Sequence, residues 1–406
     1  MPRISLFSPL VIGLTILVLG AGTFLVVHKI HTDHARALAV ISAQESVATP
    51  QATTPAITQP VAAHLATPPV VKALYMTSWI ASSPKLRQHV LDLVNTTEVN
   101  AVVLDIKDET GHPSFTISDP VIADTKSPEN RIRDIASFIQ EMHAKNIYVI
   151  GRIVVFKDGY LTNTEPTWTL TKKSDGTPWH DPKGSAYLDP ANQHVWDYTT
   201  ALAVDAYNTG FDEINFDYIR YPSDGNLKDL NYNLQPNETR ADVLAHFFDY
   251  LSTHIKQAGT IPISADVFGQ TTTETGDMGI GQVFDRDIQY FDYIDPMIYP
   301  SHYEHDTYGL KNPTANPYQL VIAALKGAKN KIDKIQADPN VSADIKAKIV
   351  YSKVRPWLQD FSINHVIYTP EMIDAQMKVE YDSGLASWLM WDPSNKYTAS
   401  AYSSSN

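Results

Sequence analysis

The sequence predicts a (β/α)8 TIM barrel preceded by an N-terminal transmembrane helix and a disordered linker. Three observations support this fold: an uncharged apolar run near the N-terminus, a stretch rich in Ala, Thr and Pro behind it, and eight short β-branched or aromatic runs that alternate with amphipathic helical patterns. We therefore expect a membrane anchor over 1–30, a linker over 31–69 and a barrel domain over 70–398.

The apolar run extends from Ile4 to Val27 without a charged residue. It is longer than the roughly 20 residues that a helix needs to cross the hydrocarbon layer of a membrane. We expect an uncleaved signal anchor that leaves the barrel outside the cytoplasm of a bacterial cell. A cleavable signal peptide is the alternative, because ARALA (35–39) offers small residues for cleavage, although it lies well beyond the apolar run.

The segment behind the anchor, from about residue 39 to residue 69, is rich in Ala, Thr, Pro and Gln and has almost no charge. Its apolar residues follow neither a helical nor a strand period, so it cannot build a packed core. We predict a disordered tether between the membrane and the barrel.

Composition limits the function of the remaining chain. The formal net charge of -13 argues against a broad nucleic-acid-binding surface, which needs clustered Lys and Arg, and an uncharged partner fits better. The chain has no cysteine, so it has no disulfide, no thiolate zinc site and no thiol nucleophile. Catalysis would have to use Asp, Glu, His, Tyr or a hydroxyl group.

Eight runs in the rest of the chain have the composition of strands. They are KALYMTSWI (72–80), NAVVLDIKD (100–108), IYVIGRIVVF (147–156), GFDEINFDYI (210–219), IPISADVFG (261–269), YIDPMIYP (293–300), VRPWLQDF (354–361) and GLASWLMW (384–391). Helical patterns lie between them, such as 129–146 with its apolar residues three and four positions apart. Alternating strands and helices indicate a parallel barrel. An open doubly wound sheet is the alternative, but no GxGxxG or phosphate-binding loop precedes a helix.

The fourth run shows how the barrel would be lined. Ile214, Phe216 and Tyr218 alternate with polar Glu213, Asn215 and Asp217. Because a barrel strand packs one face against the helices and turns the other inward, the polar set should point into the barrel. Asp217 then lies at the C-terminal end of its strand, where TIM barrels place their active sites.

The same alternation predicts inward polar residues on four other strands. These are Asp105 and Lys107 on the second, Arg152 on the third, Ser264 and Asp266 on the fifth, and Asp295 with Tyr299 on the sixth. Carboxyl groups thus converge at one mouth. A structural interpretation is also open: Asp105 could pair with Lys107 or Arg152, and Asp217 with Arg220, because buried charges need partners.

The segments NAVVLDIKDETG, GFDEINFDYIRYP, ISADVFGQ and PMIYPSHY resemble a bacterial glycosyl hydrolase domain family of unknown function within the TIM-barrel glycosidase superfamily. The resemblance covers about 71–393. It implies a (β/α)8 fold and action on a polysaccharide of the cell wall or an exopolysaccharide. The residues that fall in its characteristic segments are Asp217, Arg220, Asp266, Tyr299 and His302.

Glycoside hydrolysis needs two carboxyl groups, one ionised and one protonated, at the bond that is cut. Asp217 and Asp266 end neighbouring strands, which suits the close spacing of a retaining pair. We expect Asp217 to be the nucleophile, held ionised by Arg220 and Lys107, and Asp266 to be the acid/base, with its pKa raised by the apolar surface of Phe268. The reverse assignment stays open, and Asp105 is the third candidate.

Aromatic side chains support a sugar ligand, because pyranose faces stack on rings. Trp79, Trp168, Trp179, Trp388 and Trp391 occur at strand ends or in the long loop after the third strand. Trp391, just past the last strand, is the expected platform, and the expected substrate-binding set is Asp105, Lys107, Arg152, Arg220, Tyr299, His302 and Trp391.

Two rival functions remain. SHYEH places His302 and His305 three residues apart, but the HxxxH pattern expected of a metal-dependent deacetylase is absent, so we expect no metal. A non-catalytic carbohydrate-binding barrel at the cell surface is the alternative to a hydrolase, since binding and cleavage use overlapping residues. We predict no cofactor and no protein partner.

Overall fold

The computed structural model describes residues 62–363 and 365–404, and within them eight parallel strands close into a barrel. We number these strands β1 to β8 in chain order. They are β1 (Lys72–Met76), β2 (Ala101–Lys107), β3 (Tyr148–Val154), β4 (Glu213–Asp217), β5 (Ile263–Phe268), β6 (Tyr293–Met297), β7 (Trp357–Gln359) and β8 (Trp388–Trp391). Each strand pairs with the next, and β8 pairs with β1. The expected (β/α)8 barrel is therefore confirmed.

Helices follow most strands on the outside of the barrel. The longer ones are α1 (Pro84–Thr96), α2 (Ile135–His143), α3 (Gln193–Thr209), α4 (Arg240–Ala258), α5 (Pro317–Ala337) and α6 (Pro370–Asp382). Short α-helices are Ser78–Ala81, Pro120–Ala123, Leu161–Thr164, Phe284–Asp287 and Ala343–Lys348. The connection from β5 to β6 has one short α-helix, Phe284–Asp287, and two 3₁₀ turns, Gly269–Thr272 and Ile288–Tyr290. A two-stranded antiparallel pair, Thr171–Lys172 with Leu230–Asn231, joins the loops after β3 and β4.

The strands have the two faces that their sequences predict. Outward residues such as Ile214 and Phe216 pack with the helices in one core, whereas Tyr75, Val103 and Ile150 belong to a second core inside the barrel. The polar residues of β2 to β6 point into this interior, where they bind one another. Alternation ends at Asp217, because the next residue, Tyr218, has a left-handed φ of 52° and lies beyond the strand.

Register sets the height of the polar groups. Asn215 pairs with Ser264 and Phe216 with Ala265 across β4 and β5. One step further along both strands places Asp217 and Asp266 at the same level, at the C-terminal end of the barrel. On the other side of β4, Val154 pairs with Asp217, so Arg152 lies one inward position below that level.

The expected anchor over 1–30 and most of the expected linker lie outside the described residues. Among residues 62–363 and 365–404, no helix is long and apolar enough to cross a membrane. The last part of the expected linker contacts the N-terminal end of the barrel: the Leu65 amide donates to Asp212 Oδ1 at 2.7 Å, and the Thr67 and Tyr148 hydroxyls are 2.9 Å apart.

Candidate active site

A single buried guanidinium joins two carboxyl groups at the barrel mouth. Arg152 donates from Nε and Nη2 to Asp217 Oδ2, at 3.1 and 2.5 Å, and from Nη1 to Asp105 Oδ1 at 2.7 Å. The other oxygen of Asp217 accepts from the Tyr218 amide at 2.6 Å. Charge-assisted hydrogen bonds of this kind are short and strong, so Arg152 fixes the position of the Asp217 carboxyl group.

Asp105 has no free oxygen. Its Oδ2 accepts from the Tyr75 hydroxyl at 2.6 Å, while Oδ1 accepts from Arg152. Burial raises the pKa of the Asp105 carboxyl to about 6, although the Arg152 charge opposes the rise. Asp105 therefore orients Arg152, and its side chain is 2% exposed, against 7% for Asp217.

Asp266 is buried in a different environment, without a cationic partner. Its Oδ1 accepts from Trp357 Nε1 at 2.7 Å and from Asn215 Nδ2 at 2.8 Å, and none of the described residues donates to Oδ2. Burial raises the pKa of the Asp266 carboxyl well above its ordinary value, and the neighbouring carboxylates of Asp217 and Asp295 raise it further. Asp266 is therefore the group that retains a proton.

A second ion-pair network begins beside Asp266, because Asp295 is its register partner on β6. Arg355 donates to both oxygens of Asp295, at 3.1 and 2.9 Å, and to both oxygens of Glu213, at 3.2 and 2.6 Å. Asn215 Nδ2 links this network to Asp266, because it also lies 3.2 Å from Asp295 Oδ2. With two carboxyl groups on one guanidinium, the network places an excess of negative charge next to the acid.

Lys107 does not contact Asp105 or Asp217, contrary to expectation. A register irregularity on β2 between Asp105 and Lys107 interrupts the alternation, and Lys107 Nζ donates to Asp158 Oδ2 at 2.6 Å with both side chains buried. Gly111 lets Asp158 approach, because a Cβ there would lie 2.2 Å from Asp158 Oδ1. Lys107 therefore holds the loops after β2 and β3 together.

Arg220 likewise does not pair with Asp217. Its guanidinium lies over the Phe268 ring, 4.4 Å from the centroid, and donates to the Tyr221 carbonyl at 3.0 Å. The left-handed turn at Tyr218 directs the chain away from Asp217, and Arg152 takes the expected role. Phe268 thus packs on a cation, and the pKa of Asp266 is raised by burial and by other carboxylates instead.

Aromatic rings surround the open side of the carboxyl pair. Trp391 stacks on Tyr75, with centroids 3.9 Å apart and planes 17° apart, and lies 5.0 Å from the Arg152 guanidinium. Tyr299 is next to both acids, since Asp266 and Asp217 add to the effect of burial in raising the pKa of its hydroxyl. His302 is exposed at the rim and meets the Tyr299 ring edge-on at 5.4 Å.

The remaining candidate tryptophans differ in exposure. Trp179 and Trp388 are buried, and Trp168 stacks against His194 at 5.6 Å. Trp79 is 57% exposed. His305, the second histidine of SHYEH, has Nδ1 2.6 Å from the Lys311 carbonyl oxygen. Over the described part of the chain, no group of three or more His, Asp or Glu side chains is arranged to hold a metal ion.

The sequence analysis missed Tyr75, Arg355 and Trp357, which contact the carboxyl groups directly. The signal was present, because Arg355, Trp357 and Gln359 alternate on β7 with the same period of two that identified the aspartates. Tyr75 follows Ala73 on the inner face of β1 in the same way.

A closed (β/α)8 barrel with two carboxyl groups at its mouth, one bound to a guanidinium and one with its pKa raised by burial, is an architecture typical of glycoside hydrolases. Residues 73–397 match the model of the family described as "Putative glycosyl hydrolase domain", and the chain belongs to that family. No curated protein matches the sequence.

Several solved structures are similar to this chain. The glycoside hydrolase domain of PgaB (BpsB) from Bordetella bronchiseptica is 11% identical, with a TM-score of 0.59 over 82% of this chain and 99% of that one. A hypothetical protein from Ruminiclostridium thermocellum is 34% identical over 48% of this chain and 97% of that one, with a TM-score of 0.43. An α-galactosidase from Thermus thermophilus is 14% identical, with a TM-score of 0.49 over 83% and 60%. At 11% identity, the first similarity shows the fold alone.

Proposed function

We propose that this protein hydrolyses glycosidic bonds of a polysaccharide, with Asp217 as nucleophile and Asp266 as acid/base. One observation carries the proposal: two carboxyl groups stand at the same level on neighbouring strands, and their surroundings differ in sign. Asp217 accepts two guanidinium hydrogen bonds, whereas Asp266 is buried against two carboxylates. Groups whose surroundings favour opposite protonation states are the pair that acid–base catalysis requires.

The proposed reaction has two steps. Asp217 attacks the anomeric carbon while the Asp266 proton moves to the leaving glycosidic oxygen, so that the bond breaks with a covalent glycosyl–enzyme intermediate. Asp266, now a carboxylate, then takes a proton from water, which attacks the intermediate, releases the sugar and restores both groups. Adjacent strand positions favour this retaining mechanism over an inverting one, which needs wider separation.

The surrounding side chains suggest how a sugar is held. Trp391 and Tyr299 offer aromatic faces beside the carboxyl groups, and His302 stands at the rim. We assign these three to substrate contact. Asp105 acts through Arg152, and Arg220 lines the β4 and β5 side of the mouth against Phe268. Lys107, bound to Asp158, is left out of the substrate-binding set.

The proposed substrate is a glycan outside the cytoplasm, either of the cell wall or an exopolysaccharide. Support comes from the sequence, in which the uncharged run Ile4 to Val27 precedes a tether rich in Ala, Thr and Pro. A single-pass anchor would hold the barrel near such a polymer at the cell surface.

Two amide substitutions test the catalytic assignment. Asp217→Asn should abolish hydrolysis of any substrate found, by at least about 1000-fold, because it removes the nucleophile. Asp266→Asn should slow cleavage of unactivated glycosides by about 100-fold or more and spare activated aryl glycosides, whose leaving groups need no proton. Asp333→Asn, at an exposed ion pair with Lys329, is the matched control.

Three experimental results would contradict the assignment of the catalytic roles. If Asp217→Asn instead spared aryl glycosides and Asp266→Asn abolished cleavage of every substrate, the two roles would be reversed. If Asp266→Asn slowed the cleavage of unactivated and aryl glycosides equally, Asp266 would not be the acid. Glycan binding by the wild type without cleavage of any bound glycan would favour a carbohydrate-binding barrel.

A further inference from the structure

Trp79 is the largest exposed apolar side chain near the mouth that the proposed catalytic site does not use. It lies in the short helix Ser78–Ala81, three residues after β1 ends at Met76. Three residues span at most about 11 Å, so Trp79 is close to the C-terminal end of the barrel. Its exposed fraction of 57% leaves much of the indole open to solvent.

The indole is supported from below by a fixed cation. The Arg131 guanidinium lies 3.9 Å from the Trp79 ring centroid, and the Arg131 side chain is almost fully buried. Arg131 donates to Ser78 Oγ at 2.6 Å, to Asp108 Oδ2 at 3.0 Å and to Glu129 Oε2 at 2.9 Å. A flat cation held by three oxygens fixes the orientation of a ring that would otherwise move freely.

A polar group binds the guanidinium that supports this ring. Glu129 uses Oε2 to bind Arg131, its Oε1 is 3.7 Å from His112 Nε2, and about half of its side chain is exposed. An exposed aromatic face with a partly exposed carboxylate on its supporting cation matches a pyranose, which presents C–H groups on its face and hydroxyls around its rim. A protein-binding surface would instead extend over several exposed apolar neighbours.

We propose that Trp79, supported by Arg131 and with Glu129 on the same guanidinium, is a remote sugar subsite for the polysaccharide whose scissile bond lies between Asp217 and Asp266. The inference rests on the proposed function and deepens it. Trp79 follows β1, the strand that carries Tyr75, and the Tyr75 hydroxyl binds Asp105 in the barrel, so the subsite is on the β1 side of the same mouth, where one glycan chain can cover both places. An enzyme with such a subsite binds within a polymer and favours long substrates over short ones.

The first test measures binding in the inactive Asp217→Asn background, so that cleavage does not interfere. Affinity electrophoresis would use gels that contain soluble peptidoglycan fragments, amylose, laminarin or hydroxyethyl cellulose. For the glycan that retards the protein most, Trp79→Ala should weaken retardation about tenfold, and Trp79→Phe should restore part of it. Tyr381→Ala is the control, since Tyr381 is 46% exposed beside Glu98, at the opposite end of the barrel.

The second test compares substrates by length in the active enzyme. Trp79→Ala should lower kcat/KM on the polymer about tenfold more than on a short aryl glycoside. Equal losses on both, or retardation unchanged by Trp79→Ala, would overturn the subsite and leave the catalytic proposal standing. If none of the four glycans retarded the wild-type protein, the result would count against both the Trp79 subsite and the catalytic proposal. Retardation that depends on Trp79 without any hydrolysis would support the subsite and refute the catalytic proposal.

Discussion

At the scale of single residues, Asp266 shows how the environment divides the roles of two chemically identical groups. Asp217 and Asp266 differ by neither type nor height, and their difference lies in Arg152 on one side and Asp295 on the other. An acid that must hold its proton near neutral pH needs burial and nearby negative charge. The excess charge of the Arg355 network supplies the second of these.

This arrangement predicts the effect of removing the charge at Asp295. Asp295→Asn keeps an oxygen that can accept from Arg355 but takes one negative charge away from Asp266. The pKa of Asp266 should then fall toward its ordinary value, because one of the charges that raise it is gone. We expect the alkaline limb of the pH profile of kcat/KM, where the acid loses its proton, to move to lower pH.

The profile should be recorded with an unactivated glycoside, for which protonation limits the rate. Asp333→Asn, at the protein surface, should leave both limbs in place. A melting curve checks that Asp295→Asn is folded. An alkaline limb that stays where it is in a folded Asp295→Asn protein would show that Asp295 does not tune the acid.

Residue positions were more predictable than residue partners. A period of two identified Asp105, Asp217 and Asp266 as inward, because strand geometry alone determines the face. Partners depend on side-chain reach and on what the loops do. Arg220 stands only three positions from Asp217, yet a left-handed turn between them separates the two, and Arg152 from the next strand reaches Asp217 instead.

At the scale of elements, the strands were predicted at their observed places and the loops were not. All eight runs became barrel strands, since their apolar outer faces need the helices. The connection from β5 to β6 departs from the pattern, with the four-residue helix Phe284–Asp287 in place of a long one. A buried carboxyl group closes this short helix: the Val283 amide donates to Asp287 Oδ2 at 2.7 Å.

Asp287 makes the stability of this element depend on pH. Burial raises the pKa of its carboxyl from 3.8 to about 7, although Arg286, with Nε 3.9 Å from Oδ1, opposes the rise, and Oδ1 has no hydrogen-bond partner among the described residues. The folded state therefore binds the proton more tightly than the unfolded state. The preference for the proton contributes to the free energy of unfolding. This contribution is complete below pH 4 and is lost as pH rises from about 4 through 7.

Asp287→Asn should remove this loss, because the amide is neutral at every pH and its oxygen can still accept from Val283. We expect the variant to match the wild type near pH 4 and to exceed its free energy of unfolding by up to about 4 kcal/mol at pH 8. Urea unfolding at both pH values measures the difference. A variant that is less stable than the wild type at pH 8 would contradict the raised pKa.

At the scale of the whole molecule, the closed barrel follows from the number and spacing of the strands. The N-terminal segments are predicted from composition alone, and their place in the cell stays a prediction. The structure shows where the free part of the linker must end, because from Leu65 onward the chain binds the N-terminal end of the barrel through Asp212 and Tyr148. A tether that exposes the chain to proteases should therefore end before Leu65, whose amide binds Asp212.

This reasoning predicts the outcome of protease treatment of bacteria that express the full chain. If 4–27 anchors the protein and the barrel lies outside, proteinase K added to intact cells, or to spheroplasts where an outer membrane is present, should release a soluble fragment. N-terminal sequencing should place its first residue between Ala39 and His64, because the chain binds the barrel from Leu65 onward. A chain that lacks residues 1–30 should stay inside the cell, resist the added protease, and yield the same fragment only after lysis.

Full protection of the intact protein in unlysed cells would refute the external location, and a fragment that starts after Pro69 would show that the contacts of Leu65 and Thr67 do not hold the segment against the barrel.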